Sequence, residues 1–256
     1  MAGEISPTSL VHWVAGFDFA GPGALTEVTD SLKALTEDLT VLGPLGAIKN
    51  DGNLGHATYE ISEAGHLRGR EASLRRLLVD NPPEYPWRSI LAHHGGTRGL
   101  PCTIAEDIRL KEDSLPPQLT AFTKVNITYL NASRTHVYRD GIILEGGGRK
   151  VGDSPGAQGR TFDFGLQKVG PTVLCIMVDG LVLDGADGLT VSIAHGTDPA
   201  DEASFAGAAS TGVITESGAQ LLTVVTGNLN RYFVVNWGFS GTVGSDSSAK
   251  IIAAVR

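Results

Sequence analysis

The chain has 256 residues, a formal net charge of −8, 41% hydrophobic residues and 19% charged residues. The acidic balance argues against a protein that grips nucleic-acid phosphates, because such binding draws on clustered Lys and Arg. It allows a protein past which nucleic acid slides, since like charges repel. The apolar content supports a packed core and excludes a disordered chain.

The N-terminal sequence MAGEISPTSL lacks the basic and apolar regions of a secretory signal. The most apolar stretch, Thr172–Leu183, is too short to span a bilayer and contains Asp179. We therefore expect a soluble protein made in a cytoplasm, with no membrane partner. The two cysteines, Cys102 and Cys175, each lie in an apolar run and are expected to be buried free thiols.

The first part of the chain alternates apolar and polar residues, as in antiparallel strands with one wet face. The predicted strands are Leu10–Phe19, His56–Ser62, Cys102–Lys111 and Leu119–Leu130. In the third of these, the alternation places Cys102, Ile104, Ile108 and Leu110 on one face. One helix is predicted over Arg70–Pro83, from leucines at helical spacing and the closing prolines.

The apolar pattern is interrupted at Glu145–Arg160, which contains six glycines and a proline. Such a stretch is typical of a linker or a long exposed loop. We therefore predict a first domain over residues 1–150, a linker over 151–160 and a second domain over 161–256.

The second part has no convincing helix and contains several short strands. Thr172–Val178 is continuously apolar, so we expect it to be covered on both faces. Leu189–His195 alternates, with Leu189, Val191 and Ile193 inward. Arg231–Val243 places Phe233, Val235, Trp237 and Phe239 on one side, and the strands Leu221–Thr226 and Ala249–Val255 flank it. This spacing favours a β-sandwich of immunoglobulin-like or related type.

Candidate chemical sites are sparse. His93 and His94 are adjacent, so on a strand they point to opposite faces, and solvated histidines are favoured over a metal site. Asp184 and Asp187 lie in a glycine-rich segment that suits a hairpin turn better than a calcium site. No nucleophile elbow, phosphate loop or Cys–His pair occurs in a plausible context. We therefore predict a protein that is not an enzyme and uses no cofactor or metal.

The order of elements resembles another group of proteins. Phe17–Gly43 (FDFAGPGALTEVTDSLKALTEDLTVLG) reads as a first strand, a polar turn and an acidic strand that ends in TVLG. A glycine-rich loop, a strand, one helix and a late strand pair follow, and the last hundred residues resemble an add-on sandwich domain. The chain thus resembles the major tail tube proteins of long-tailed (siphovirus-type) bacteriophages that carry a C-terminal immunoglobulin-like domain.

This resemblance implies a mainly β fold: a half-barrel tube domain with one short helix, followed by the sandwich. It also implies six-membered rings that stack into a tube, with other tail proteins as partners and DNA passing through without specific binding. The protein would then reside in the virion tail, and in the host cytoplasm during assembly. The alternatives are a capsid decoration or minor tail protein and, in another class, a carbohydrate-binding module that uses Trp237 and Tyr232.

The glycine-rich loop Gly43–Gly55 is the candidate ring-stacking element, because loops longer than most connections are usually functional or disordered. Its apolar residues would be poorly placed in water and could pack against a neighbouring subunit. The candidate contact residues are Leu45, Ile48, Asn50, Asp51 and Leu54.

Overall fold

The computed structural model describes residues 11–18, 25–43, 46–66, 86–92, 96–114, 124–131, 137–152 and 157–256. The described part is mainly β, which confirms the predicted class. It contains no helix that is both long and apolar enough to cross a bilayer. The predicted helix over Arg70–Pro83, and the His93–His94 pair, lie outside the described residues.

In the described part of the chain, eight strands lie between Val11 and Glu145. They are β1 (Val11–Val14), β2 (Phe17–Asp18), β3 (Leu25–Gly43), β4 (Gly46–His66), β5 (Trp87–Ala92), β6 (Pro101–Ser114), β7 (Lys124–Asn131) and β8 (Val137–Glu145). The later strands are β9 (Arg149–Val151), β10 (Ala157–Gln158), β11 (Phe162–Asp163), β12 (Thr172–Val182), β13 (Ala186–Gly196), β14 (Ala206–Ile214), β15 (Ala219–Val225), β16 (Tyr232–Gly241) and β17 (Ser248–Val255). A 3-10 turn lies at Glu202–Ser204.

The first sheet has the order β15-β12-β17-β8-β6-β5-β1-β2 and curls into a nearly closed barrel. Polar contacts join its two ends. The Asp18 backbone N–H donates to Asp179 Oδ2 at 3.2 Å, and Lys250 Nζ donates to Asp18 Oδ2 at 2.8 Å. The Arg88 backbone N–H donates to Gln220 Oε1 at 2.8 Å. Side chains therefore complete the closure where backbone pairing stops.

The second sheet, β10-β16-β13-β14 with β11 also on β16, packs on the outside of the barrel. Strand β12 lies between the two cores. Leu174, Ile176 and Val178 pack against the second sheet, whereas Cys175 and Met177 pack inside the barrel. The prediction that this apolar run is covered on both faces is confirmed.

Strands β13 and β16 form the other half of the outer core. Leu189, Val191 and Ile193 are fully buried, as predicted. In β16, Phe233 and Phe239 are buried, while the half-buried Trp237 packs against the same cluster. The interpretation of Arg231–Val243 as a packing strand is confirmed.

The expected single strand over Leu10–Phe19 is wrong, because the described part of the segment folds back on itself. Strands β1 and β2 pair through Val14↔Phe17, with Ala15 at φ 52° and Gly16 at φ 84°. Two successive positive φ values match the tight turn that suits the twist of a hairpin. The sequence does not reveal this turn, since alanine rarely adopts positive φ.

A bulge divides the face predicted for Cys102–Lys111. The register with β5 shifts between Ser89↔Ala105 and Trp87↔Ile108, and Asp107 has φ 52°. An extra residue reverses the alternation beyond it. Consequently Cys102 packs in the barrel interior, whereas Ile108 packs in a separate cluster.

The interpretation of Glu145–Arg160 as an exposed linker is wrong for its described part. Strand β9 pairs with β17 and strand β10 pairs with β16, so the segment contributes to both sheets. Two of the glycines allow close packing: a Cβ on Gly146 would lie 2.6 Å from a backbone oxygen, and one on Gly147 would lie 2.8 Å from the Trp13 ring. The division into two domains stays a prediction, while β8 and β17 pair across it.

We expect Gly147→Ala to destabilise the fold by about 1–3 kcal/mol, since the new methyl group overpacks the fully buried Trp13 ring. Gly148→Ala is the matched control, because nothing lies within 4 Å of a Cβ at that neighbouring position. Its expected change is within about 0.5 kcal/mol. Chemical denaturation of both variants measures the difference, and equal stabilities would contradict the packing role.

Candidate functional site

The most unusual feature of the fold is the hairpin of β3 and β4, strands of 19 and 21 residues. They pair from Leu25↔Gly65 to Gly43↔Gly46. Strand β4 also pairs with β7, but only over Glu60–His66. Beyond that point, among the described strands, β3 and β4 pair only with each other. At about 3.3 Å per residue, the two-stranded part (Leu32–Gly43 with Gly46–Tyr59) extends roughly 40 Å, and we call it the ribbon.

The expected loop over Gly43–Gly55 is wrong, because residues 46–55 belong to β4. The glycines made this strand resemble a loop in the sequence. The register shifts between Ala34↔Ala57 and Thr36↔Asn53, and glycine commonly marks such an irregularity. The acidic strand expected before this segment is present as β3, and the segment expected to be a loop is its pairing partner.

The ribbon contains four of the five predicted contact residues. Ile48 lies opposite Val41 in the register, Asn50 opposite Leu39, and Asp51 opposite Asp38. Leu54 falls within the register shift, and Leu45 lies outside the described residues. The stacking role of these residues stays a prediction.

The base of the hairpin is anchored in the barrel. Ile61 of β4 is fully buried and packs in one cluster with Phe17, Trp87, Ala105 and Ile108. The base of the ribbon is therefore attached to a packed part of the fold.

Aromatic side chains offer little surface for a flat ligand. Every aromatic residue whose burial the structure describes is buried or half-buried. Cationic side chains cover several of these rings: Lys150 Nζ lies 5.3 Å from the Trp237 ring, and Lys168 Nζ lies 4.1 Å from the Phe164 ring. Tyr232 lies beneath the Arg231 guanidinium at 5.1 Å. These contacts stabilise the sandwich and occupy the faces that a sugar ring would use.

The segment around Asp184 and Asp187 is a turn, but it is not a hairpin. It links β12 of the first sheet to β13 of the second, and these two strands do not pair. The Gly244 N–H donates to the Asp184 carbonyl at 2.6 Å, and the Asp184 N–H donates to Ser247 Oγ at 3.2 Å. No group of three or more His, Cys, Asp or Glu in the described ranges is placed to hold a metal ion.

His195 has a structural contact. Its Nδ1 accepts the Asn230 backbone N–H at 2.9 Å, and burial lowers the pKa of the imidazole. Both effects favour the neutral ring, since a protonated Nδ1 could not accept this bond. The interaction fastens the start of β16 to the end of β13.

No family model matches the chain, and no curated protein matches it. Among solved structures, it is similar to a protein from the tail of an empty gene transfer agent particle with C6 symmetry, at 15% identity and a TM-score of 0.37. That likeness covers 52% of this chain and 95% of the other. A chain of the native gene transfer agent virion gives 15% identity and a TM-score of 0.37, over 52% of this chain and 96% of that one.

VP2 from a subviral particle of infectious bursal disease virus is 12% identical, with a TM-score of 0.32. That match covers 96% of this chain and 55% of VP2. All three neighbours come from virus or virus-like particles. At TM-scores this low the likenesses carry no argument, and the function is inferred from the sequence and the geometry.

Proposed function

We propose that this protein is a virion structural protein that self-assembles into stacked rings and forms a tail tube through which DNA passes. The resemblance of Phe17–Gly43 and of the order of elements to tail tube proteins supports six subunits in each ring. In this proposal the protein acts in the virion tail without catalysis or cofactor, and is assembled in the host cytoplasm with other tail proteins.

The ribbon is the observation that carries the proposal. A two-stranded hairpin is marginally stable in water, and three or more strands or a packing surface are needed for independent stability. A ribbon of roughly 40 Å therefore requires a partner surface. A protrusion that binds a different surface on an identical subunit makes a heterologous contact, which closes into rings or continues as a filament.

The charge balance agrees with a DNA conduit. With a net charge of −8, the chain would repel a polyanion and offer few adhesive sites along a channel. A capsid decoration or minor tail protein would share the fold and differ in copy number per particle. The burial of Phe233 and Phe239, and the cation over Trp237, disfavour the carbohydrate-binding module.

The proposal is tested by shortening the ribbon. Residues 37–52 are replaced by Asn-Gly, so that a two-residue turn joins the register partners Thr36 and Asn53. We expect the variant to fold as a monomer and to form no tubes, because the removed part pairs with no other described strand. Light scattering and negative-stain microscopy over a concentration series measure assembly, and circular dichroism measures folding.

Leu45→Ser with Ile48→Ser is the finer version of this test, and Thr36→Ser with Thr58→Ser is its control in the same ribbon. We expect stacking to fail only in the variant with Leu45→Ser and Ile48→Ser. The thermal midpoint of its monomer should remain nearly unchanged. A sharp drop in that midpoint would place Leu45 and Ile48 in the subunit's own core and remove their stacking role. Tubes formed by the shortened ribbon would overturn the proposed function.

A further inference from the structure

Most edges of the described sheets carry a device that prevents pairing with another chain. Strand β14 has two register shifts against β13, and Gly212 at φ 71° lies in one of them. Strand β16 is covered in part by the short strands β10 and β11. Strand β2 has only two residues. Bulges, cover and short length are the usual ways in which proteins protect a sheet edge.

Strand β15 has none of these devices. It pairs with β12 in seven consecutive positions, from Thr172↔Val225 to Val178↔Ala219, without a register shift. Its sequence AQLLTVV contains no charge and no proline, and Val224 is 49% exposed. No other described strand pairs with it. A regular, uncharged and unprotected edge is a template for strand addition.

The free length of this edge is about five residues. At its beginning, the Gln220 side chain bonds to the Arg88 N–H and to the Pro86 carbonyl. These bonds occupy the side of β15 that faces the seam of the barrel, which is the place where the two ends of the first sheet meet. Leu221–Val225 continues beyond them and remains open to a strand among the described residues.

The same chain contains a strand that fits this edge. Over the ribbon, β3 pairs with β4 alone among the described strands, so no described strand occupies its other side. The distal end of β3, Leu39–Gly43 (LTVLG), is uncharged and five residues long, whereas Glu37 and Asp38 precede it. Apolar residues at the end of a protrusion are better accommodated against another protein surface than in water.

We propose that Leu39–Gly43 of one copy adds as a strand to Leu221–Val225 of a second copy. This inference rests on the proposed function and names the surface that receives the ribbon. Backbone hydrogen bonds would provide the attachment, and the uncharged side chains of both strands would be buried together. The contact joins two different surfaces of the chain. Each subunit can therefore donate its ribbon to one neighbour and receive the ribbon of another, so the contact repeats from subunit to subunit.

The first test places a charge on the receiving edge. Val224→Lys should raise the protein concentration needed for assembly at least tenfold, because strand addition would desolvate the ammonium group. Val213→Lys is the matched control: Val213 is 67% exposed and lies on the bulged edge strand β14. Both monomers should keep the thermal midpoint of the parent chain. Equal assembly of the two variants would overturn the inference.

The second test identifies the two strands directly. A Thr40→Cys chain is mixed with a Thr223→Cys chain and treated with a short bis-maleimide reagent. The native Cys102 and Cys175 do not interfere, since both are buried and burial raises the pKa of the Cys175 thiol to about 12. We expect cross-links between positions 40 and 223 of different chains, seen by mass spectrometry, only under assembling conditions.

Three other results overturn the inference. Cross-links between two copies of position 223 would show that β15 pairs with itself. Tubes that give no 40–223 cross-link would place the ribbon on another surface and leave the proposed function intact. If the parent chain remains monomeric at every concentration, with the 40–223 cross-link absent, both proposals fail together.

Discussion

A chain that ends at Gln158 is expected to lose cooperative unfolding and to bind hydrophobic dyes, although the glycine-rich segment before that point resembles a domain boundary. The reason is that the barrel core is shared. Met177 and Ile252, from beyond the truncation, are fully buried in one cluster with Trp13, Ile104 and Ile143. Strand β8 would also lose its backbone pairing with β17.

The expected loss of stability is a large fraction of the total stability of a typical protein. Fully burying a side chain such as Met177 or Ile252 contributes about 1.5–3 kcal/mol. These two residues alone thus provide about 3–6 kcal/mol, against a total stability of roughly 5–15 kcal/mol for a typical protein. The truncation also removes Lys250 and Gln220, whose polar contacts close the barrel.

Cleavage of the full-length chain after folding shows whether the shared core holds the two parts together when the backbone between them is cut. A protease site inserted between Gly152 and Ala157 allows cleavage after folding. We expect the two fragments to copurify and to melt together, since β8–β17 pairing and the barrel core hold them. A truncated chain that melts cooperatively near the parent midpoint would instead support two independent domains.

The outer core could be predicted from the sequence because its strands are regular. Leu189, Val191 and Ile193 alternate with the polar residues Thr190 and Ser192, and period two suffices to place them inward. Strand β12 was also predictable, since an apolar run without alternation is typical of a strand with two buried faces.

The missed features all involve backbone conformations or pairings between distant segments. The turn at Ala15 and the bulge at Asp107 were missed, because positive φ is uncommon for residues other than glycine. Gly147 looked like part of a flexible linker, whereas it makes room for the Trp13 ring. Local sequence shows that glycine permits flexibility, but only the fold shows that it permits close approach.

At the candidate site too, local sequence does not show which distant segments pair, as the ribbon and β15 illustrate. The sequence predicted a contact role for the segment around Ile48, because its apolar residues would be poorly placed in a solvated loop. It could not show that this segment pairs with Leu39–Gly43, nor that β15 is an edge strand. Edge and interior strands share a composition, and their difference depends on long-range pairing.

Replacing Lys250 by methionine is expected to destabilise the protein by about 3–5 kcal/mol, as for other ion pairs that lose one buried partner. Lys250 Nζ lies 2.8 Å from Asp18 Oδ2, and the Asp18 side chain is only 7% exposed. Asp179, whose Oδ2 accepts the Asp18 backbone N–H, is also buried. Without the ammonium group, two buried carboxylates would remain at the seam that joins β2 to β12. For a protein of this size, the thermal midpoint should fall by roughly 10 °C.

Arg231→Met is the matched control, since it also removes a cation paired with an aspartate. Arg231 and Asp163 form a bidentate pair with both distances at 2.6 Å, but their side chains are 47% and 45% exposed. Exposed pairs contribute little, so the midpoint should barely change. Asp18→Asn combined with Lys250→Met should recover part of the loss, because it removes one of the two buried carboxylate charges. Equal midpoints for Lys250→Met and Arg231→Met would mean that packing closes the barrel and that the ion pair at its seam is dispensable.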